Sequence, residues 1–367
     1  MPRSLCYSTI QALEWLELNL ATIQFNYLTV CIGHQLTHIQ DDYPVLNETI
    51  TLGTDIIDLE SVPLNGGILA KSLWLSIDPF LRERMRDPSI ESYAPGYQLG
   101  KPISGYAIVQ VVKSELANVK IGDFLRFDDC PFQEYNVLSP DHVFTPIKEE
   151  EGVPLSLHTG LLGMPGQTAF YGLEVVGRPV RGETIFVSSG ASAVGSLVAQ
   201  LSKAKGLKVI ASAGSDDKVA FMKSIGVDVA FNYKTEKVED VLAREGPIDI
   251  YWDNAALGAF TRGGRVVVCG NMSDYNTKQP YGIKNAGQIL SRRLRVEGFY
   301  WFLAGETYEG QRNKSEKFMQ AVVPLVKSGK LKWSEHVYSG IESVGEAVVA
   351  VQRGTATAKV VVKVGDI

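Results

Sequence analysis

Residues 184–215 of the chain read TIFVSSGASAVGSLVAQLSKAKGLKVIASAGS, and this stretch decides the fold. An apolar run over Thr184–Val187 leads into a turn of small residues, then into a segment with apolar residues at helical spacing, and finally into a second apolar run over Lys208–Ala211. This order of strand, turn, helix and strand is typical of the βαβ unit that opens a dinucleotide-binding sheet. We therefore expect a parallel sheet that binds a dinucleotide.

The turn between the first strand and the helix carries the residues expected to contact that cofactor. A pyrophosphate requires backbone N–H groups at a helix N-terminus with little side chain in the way. Ser192 stands where the middle position of a glycine fingerprint usually has Gly, so its side chain either crowds the phosphates or adds a hydroxyl. The predicted contacts in this turn are Gly190, Ala191, Ser192, Val194 and Gly195.

The end of the second strand favours NADP over NAD. NAD-binding units place Asp or Glu there, which binds the ribose hydroxyls and repels a 2′-phosphate. Here the strand continues into small residues, Ser215 can donate a hydrogen bond, and Lys218 supplies a cation one turn into the next helix. Asp216 and Asp217 leave a second interpretation open, in which Lys218 is a solvated helix lysine that its neighbours neutralise.

Apolar runs continue to alternate with helical segments along the chain. The expected parallel strands are Thr184–Val187, Lys208–Ala211, Val229–Phe231, Ile248–Trp252, Arg265–Cys269 and Leu294–Phe299. Six strands with intervening helices predict a doubly wound α/β sheet. Earlier short strands, such as Ile68–Ile77 and Tyr106–Val112, predict a β-rich domain. A helix over Ser315–Lys327 and a strand over Ala358–Val364 are expected to return and complete that domain.

Composition narrows the class of protein. The 367 residues carry 36 Lys+Arg against 41 Asp+Glu, a formal charge of −5 without a basic block, which argues against a nucleic-acid partner. Since no apolar stretch is long enough for a membrane span, we expect no membrane partner either. The cysteines form no CxxC pair, so we expect no bound metal and a reducing, cytoplasmic location; they are Cys6, Cys31, Cys130 and Cys269.

Residues 1–42 form an atypical N-terminal segment with weak periodicity. Ser8–Asn19 could form one amphipathic helix. His34 and His38 have the spacing of a metal-binding pair on a helix, but no third ligand is near in sequence. The favoured interpretation is therefore that both are ordinary polar residues that bind no metal.

Seven spaced blocks resemble one known family. Besides the βαβ unit they are SIDPFLRERM (76–85), LGKPISGYAI (99–108), LLGMPGQTAFYGL (161–173), AGSDDK (213–218), FNYK (231–234) and VVVCGNMSDYN (266–276). The chain is similar, over about residues 43–364, to the zinc-independent branch of the medium-chain dehydrogenase/reductases, and most closely to the NADP-dependent alkenal double-bond reductases. The resemblance implies a GroES-like β-domain over 43–160, completed by 311–367, and a Rossmann domain over 161–310.

The resemblance also implies roles for individual residues. Lys218 and Tyr233 would hold the 2′-phosphate, and Met164 and Thr168 would lie near the nicotinamide. Tyr275 would line the substrate pocket, where a phenol can hydrogen-bond the carbonyl oxygen and stabilise an enolate. Asn254 and Cys269 are further expected cofactor contacts, and the assembly would be a homodimer. The zinc branch would carry Gly-His-Glu where this chain has KPISG at 101–105.

Three departures from the family pattern concern the site. Only eleven residues, 254–264, are left to join two parallel strands, so the crossover helix is expected to be a stub. Phe80 replaces a tyrosine, and Ala356 stands in a segment that lacks the family's Asn, which removes one expected amide contact. Residues 1–42 replace the expected first strand.

The sequence therefore predicts NADPH-dependent reduction of the C=C bond of α,β-unsaturated aldehydes or ketones. Two alternatives stay open at this point. One is a quinone reductase or a tailoring dehydrogenase of secondary metabolism on the same fold. The other is a non-catalytic NADPH-binding protein with a damaged site, since a fold alone does not secure a function.

Overall fold

The computed structural model describes residues 28–37, 42–252, 259–270, 272, 274–277, 285–300 and 308–367. The expected helix over Ser8–Asn19, together with His38 and Asn254, lies outside these ranges. Within them, no helix combines the length and hydropathy needed to cross a bilayer.

A parallel sheet of six strands occupies the middle of the described chain. Its strands are β8 (Thr184–Val187), β9 (Lys208–Ala213), β10 (Val229–Asn232), β11 (Ile248–Trp252), β12 (Phe260–Val268) and β13 (Arg295–Gly298). Their order is β10-β9-β8-β11-β12-β13, with every neighbouring pair parallel. The order reverses between β8 and β11, so the predicted doubly wound Rossmann sheet is confirmed, and a ligand crevice is expected beyond the carboxyl ends of these strands.

Helices cover both faces of this sheet. They are α1 (Met164–Tyr171), α2 (Ala193–Ala204), α3 (Asp216–Ser224), α4 (Val238–Glu245), α5 (Gly287–Arg292) and α6 (Tyr308–Lys327). In β8, Ile185 and Val187 belong to one hydrophobic core while Phe186 belongs to the core on the opposite face. Because side chains alternate across a strand, an uninterrupted apolar run of this kind is buried on both sides.

A second sheet of seven strands is mostly antiparallel. Its strands are β3 (Ile68–Ser76), β4 (Ser104–Ser114), β5 (Phe124–Pro131), β7 (Phe144–Pro146), β14 (Glu335–Ser339) and β15 (Lys359–Lys363), with β6 (Tyr135–Leu138) paired to β3. The last helix, α7 (Val344–Gln352), packs against β15 and against the 3-10 helix Pro79–Met85. β15 pairs with β3, so the expected last strand does return to the domain that began first. The expected helix over Ser315–Lys327 does not return with it, because Phe318 and Val322 lie in the hydrophobic core of the parallel sheet.

A buried ion pair lies where β15 joins the antiparallel sheet. Lys359, the first residue of β15, places Nζ 2.8 Å from Asp78 Oδ1, and both side chains are almost fully buried. The Lys359 ammonium also donates to the Ile77 carbonyl, and the Ser76 hydroxyl donates to the other Asp78 oxygen. Each charge therefore has the additional partners that a buried ion requires.

Two sequence expectations about strands are corrected. The first strand is not replaced: β1 (Leu28–Leu36) pairs along its whole length with β2 (Ile50–Asp58). His34 consequently lies in a strand, where helical spacing to His38 has no meaning. The second correction concerns β12, which begins at Phe260 rather than at Arg265, because its first residue pairs with Ile248 before a register shift.

Candidate active site

Residues predicted to bind the cofactor follow four strands of the parallel sheet. Gly190 comes after β8, Ser215 after β9, Tyr233 directly after β10, and Cys269 directly after β12. Because the carboxyl ends of parallel strands meet at one edge, these residues lie along the same side of the sheet. This is the side where doubly wound sheets bind their ligands.

Ser192 caps the helix that follows the first turn. Its side-chain oxygen accepts a hydrogen bond from the Gly195 amide at 3.0 Å, and its backbone is extended. The hydroxyl thus satisfies one of the amides at the start of α2. The amides of Ala193 and Val194, at the first two helical positions, have no helical carbonyl four residues before them, so no intrahelical hydrogen bond uses them.

The glycines of this turn are required by packing. A Cβ on Gly190 would lie 2.6 Å from the Ala211 Cβ and 2.7 Å from the Met222 Sδ, so only Gly lets the turn approach β9 and α3. A Cβ on Gly195 would collide with the Ser189 carbonyl oxygen. Ser189 itself adopts the left-handed conformation, φ 53°, that the tight turn needs. The strand-to-helix connection is therefore close enough to bring backbone amides to a pyrophosphate.

A cationic corner lies beside Gly214, formed by Lys218, Tyr233 and Lys234. A Cβ on Gly214 would be 2.8 Å from the Tyr233 hydroxyl and 3.3 Å from the Lys234 Cε. Burial lowers the pKa of Lys218, and the charge of Lys234 lowers it further. Within the described chain no carboxylate pairs with either lysine, which leaves a positive charge suited to a phosphate.

The alternative that Asp216 neutralises Lys218 does not fit these contacts. The Asp216 carboxylate accepts from the Asn232 side-chain amide at 2.8 Å, and Lys218 Nζ instead donates to the Gly354 carbonyl at 3.0 Å. Lys218 therefore connects α3 to the segment that leads into β15. Ser215 precedes α3 without capping it, so its hydroxyl is not used to close that helix.

The remaining predicted cofactor residues lie in α1 or at the hydrophobic core of the parallel sheet. Met164 begins α1, and Thr168 is buried one turn later with its hydroxyl 3.5 Å from the Met164 Sδ. Val194 and Cys269 pack against the core on one face of the parallel sheet, and Ala191 is buried within that core. Among the described residues, no three His, Cys, Asp or Glu side chains form a metal-binding group.

Tyr275 reaches the carboxyl edge of the sheet beside β12. Its hydroxyl lies 3.5 Å from the point where a Cβ on Gly270 would stand. Burial is the largest cause that raises the pKa of the Tyr93 phenol far above its ordinary value, and the neighbouring Tyr275 and Glu83 raise this pKa further. The Tyr93 ring also stacks on Tyr300, with centroids 6.1 Å apart.

The turn that carries Tyr275 is tied to the other domain by the next residue, Asn276. The Asn276 side chain accepts from Arg82 Nε at 3.0 Å and donates to the Gln352 side-chain oxygen at 3.2 Å. Gln352 in turn donates to the Pro79 carbonyl at 3.0 Å. Tyr275 is thus held between the parallel sheet and the 3-10 helix Pro79–Met85, at the boundary of the two domains.

Sequence reasoning missed Lys234, Glu83 and Tyr93. Lys234 follows Tyr233 within the FNYK block, so a search for a second cation near the phosphate position could have found it. Glu83 and Tyr93 lie more than 180 residues before Tyr275, and no local pattern links them to it.

Two family models match the chain. The model described as zinc-binding dehydrogenase covers residues 193–314, and the model described as N-terminal domain of oxidoreductase covers residues 58–145. The first range includes most of the parallel sheet, and the second includes most of the antiparallel sheet.

Curated relatives extend the similarity over most of the chain. A zinc-type alcohol dehydrogenase-like protein of Schizosaccharomyces pombe is 36% identical over 88% of this chain and 95% of its own length. The NADP(+)-dependent 2-alkenal reductase of Nicotiana tabacum is 39% identical over 81% of this chain and 87% of its own. Among solved structures, CurA of Vibrio vulnificus in complex with NADPH superposes with a TM-score of 0.79 at 27% identity, covering 92% of this chain and all of CurA.

Proposed function

Because this chain belongs to the zinc-independent alkenal reductase family of the medium-chain dehydrogenase/reductases, we propose that it reduces the C=C bond of α,β-unsaturated aldehydes or ketones with NADPH. The chain is an NADP-dependent oxidoreductase, and we propose that its substrate is an enal or an enone. The observation that carries this substrate class is the phenol of Tyr275 at the carboxyl edge of the sheet, next to Gly270.

The residues at the edge of the sheet fit NADPH. The amides of Ala193 and Val194 would hold the pyrophosphate, and Lys218, Lys234 and Tyr233 would hold the 2′-phosphate, with Ser215 as a further donor. When bound there, NADPH supplies the hydride for the β-carbon of the substrate.

Tyr275 supplies what the reaction needs at the other end of the conjugated system. Addition of a hydride at the β-carbon moves an electron pair onto the carbonyl oxygen and generates an enolate. A phenol that donates a hydrogen bond to that oxygen stabilises the negative charge more in the transition state than in the ground state. Solvent then protonates the α-carbon, so one hydride and one proton are consumed for each C=C bond reduced.

The test is the loss of NADPH absorbance at 340 nm in the presence of a medium-chain 2-alkenal. We expect turnover with NADPH and the alkenal, but not with NADH or with the matching saturated aldehyde. Turnover of a quinone but not of the alkenal would replace the proposal by the quinone reductase alternative. Saturable NADPH fluorescence without turnover of either substrate would identify a binding protein with a damaged site.

We further propose that the protein is a homodimer that pairs through β13. This strand ends the parallel sheet, and all four of its residues are exposed. An open strand edge is a template for pairing with a second copy. Light scattering after gel filtration should give twice the 40.2 kDa of one chain. Val296→Lys should produce a monomer, whereas Val175→Lys, an exposed valine elsewhere, should not; a monomeric unmodified protein would refute the proposal.

We also propose a cytoplasmic location. Cys31 and Cys130 are buried thiols rather than half-cystines. Burial raises the pKa of each, which keeps them protonated and unreactive. Imaging of a fluorescent fusion tests the proposal, and confinement to an organelle would contradict it.

A further inference from the structure

Tyr275 and the next residue, Asn276, occupy the two central positions of a β-turn at the boundary of the two domains. The Thr277 amide donates to the Asp274 carbonyl at 3.3 Å, which closes the turn from its first to its fourth residue. Because one planar peptide unit joins the two central residues, a contact that fixes the Asn276 side chain also limits how Tyr275 can turn. The partners of Asn276 therefore bear on the direction of the Tyr275 phenol.

The side-chain amides of Asn276 and Gln352 form a chain of hydrogen bonds that runs in one direction. Asn276 Oδ1 accepts from Arg82 Nε at 3.0 Å, and Asn276 Nδ2 donates to Gln352 Oε1 at 3.2 Å. Gln352 Nε2 then donates to the Pro79 carbonyl at 3.0 Å. A guanidinium can only donate and a carbonyl can only accept, so the two ends of the chain set the orientation of both amides between them. If either amide rotated by half a turn, two donors or two acceptors would face each other.

Gln352 is a fixed partner because it ends a helix that is packed into the antiparallel domain. The Gln352 side chain is buried, and Val348 of the same helix, α7, belongs to the hydrophobic core of that domain. The Lys218 ammonium, which belongs to the parallel domain, donates to the Gly354 carbonyl at 3.0 Å, two residues beyond Gln352. Both domains therefore hold the end of α7 to which Asn276 binds.

We propose that Gln352 is a positioning residue that acts through Asn276 to hold the Tyr275 phenol in the direction of the substrate carbonyl oxygen. The proposal rests on the proposed function, because it takes Tyr275 as the group that stabilises the enolate. A donor that is oriented before the reaction stabilises the developing charge without reorganisation, and a small error in its placement slows the chemical step. Because Gln352 and Asn276 belong to different domains, their hydrogen bond makes the direction of the phenol depend on the contact between the domains.

Gln352→Met tests this role in the full-length protein, because methionine keeps the size of the side chain and removes both hydrogen bonds. We expect kcat for the 2-alkenal to fall about tenfold. The KM of the alkenal and the Kd of NADPH should change less than about threefold, since orientation rather than binding is lost. A variant that keeps the wild-type kcat would overturn the proposal.

Gln200→Met is the matched control. Gln200 is about as deeply buried as Gln352, and it joins α2 to the backbone of Lys332 by two hydrogen bonds, at 2.9 and 2.8 Å. The two methionine variants should therefore lose similar free energies of unfolding in urea, but Gln200→Met should keep its kcat. An equal loss of kcat in both variants would reflect a general weakening of the fold and would overturn the proposal.

A double-mutant cycle tests whether Gln352 acts through Tyr275. In a Tyr275→Phe background, Gln352→Met should cause no further loss of kcat, because the hydroxyl that it positions is already absent. Losses that multiply in the double variant would mean that Gln352 acts on another part of the site, and would overturn the proposal.

Asn276→Asp tests the direction of the hydrogen-bond chain. The carboxylate can still accept from Arg82, but its second oxygen faces the Gln352 oxygen. If the Gln352 amide rotates to donate to this carboxylate, its own oxygen faces the Pro79 carbonyl instead. We therefore expect Asn276→Asp to lose as much kcat as Gln352→Met. An aspartate variant with full activity would overturn the role given to the bond between Asn276 and Gln352.

A measurement without turnover separates this proposal from the proposed function. In cofactor-free protein labelled with 13Cζ-tyrosine, Gln352→Met should shift the Tyr275 resonance, which is assigned with Tyr275→Phe, whereas Gln200→Met should leave it in place. An unchanged Tyr275 signal in Gln352→Met would overturn the proposal even in an active enzyme. A shifted signal in a protein that reduces no alkenal would support the link between Gln352 and Tyr275 while the proposed function fails.

Discussion

Replacement of Lys218 by Ala should weaken NADPH use selectively. Lys218 stands beside Lys234 with no carboxylate to neutralise it in the described chain, so a 2′-phosphate bound there as proposed would accept a charge-assisted hydrogen bond from its ammonium group. Such bonds contribute about 1.5–3 kcal/mol. Because Lys234 remains in the variant and the site is partly open to solvent, we expect a loss of about 2 kcal/mol, which corresponds to a roughly 30-fold higher KM for NADPH.

The assay compares the Kd values of NADPH and NADH from fluorescence titration. NADH lacks the 2′-phosphate, so its Kd should change less than about threefold in Lys218→Ala, whereas the Kd of NADPH should rise with its KM. Lys223→Ala, an exposed lysine near the end of the same helix, is the matched control and should leave both values unchanged. Lys218 also donates to the Gly354 carbonyl, and loss of that contact would affect both cofactors equally. Equal losses with NADPH and NADH would therefore refute the assignment of Lys218 to the phosphate.

Three further changes test the site and the fold. Tyr275→Phe should lower kcat for the alkenal about 100-fold, the usual cost of one lost oxyanion donor, while the Kd of NADPH from fluorescence titration stays constant. Asp78→Asn should lower the free energy of unfolding in urea by about 3–5 kcal/mol, because it leaves the buried Lys359 charge unpaired; a loss below 1 kcal/mol would mean that solvent reaches the pair. Burial lowers the pKa of His34 to about 4, below its unfolded value, so its contribution is complete above about pH 6.5 and is lost as the pH falls toward 4. His34→Gln should therefore reduce the acid loss of stability over this interval by about 3 kcal/mol, and an unchanged pH dependence would contradict that origin.

The strands could be predicted where a strand is buried on both faces. Thr184–Val187 and Ile248–Trp252 are mostly apolar, with Asp249 as their one charged residue, and the structure gives the same bounds. The start of β12 could not be predicted, because Thr261, Arg262 and two glycines follow Phe260 and read as a turn. Only pairing with β11 makes that segment a strand, and pairing is a tertiary fact.

The residues of the candidate site could likewise be predicted only where they lie close together in the sequence. The turn at Gly190 lies within the βαβ unit, and Lys218 follows that unit directly in α3, so spacing along the chain gives their neighbours. Lys234 joins this group because β10 lies beside β9, which brings it to Gly214. Tyr93 stacks on Tyr300 only after the two domains have come together, and no periodicity in either segment encodes that contact.

The buried pair of Asp78 and Lys359 has a consequence for the order of synthesis. The two residues are 281 positions apart, with the whole parallel sheet between them. At ordinary translation rates Asp78 leaves the ribosome about 15–60 s before Lys359. During that interval β3 lacks its β15 neighbour, so the dinucleotide-binding sheet is complete before the domain that began first. A nascent chain stopped after β13 has emerged but before Lys359 would present a finished parallel sheet beside an open strand edge and an unpaired carboxylate, which is the form a chaperone would meet.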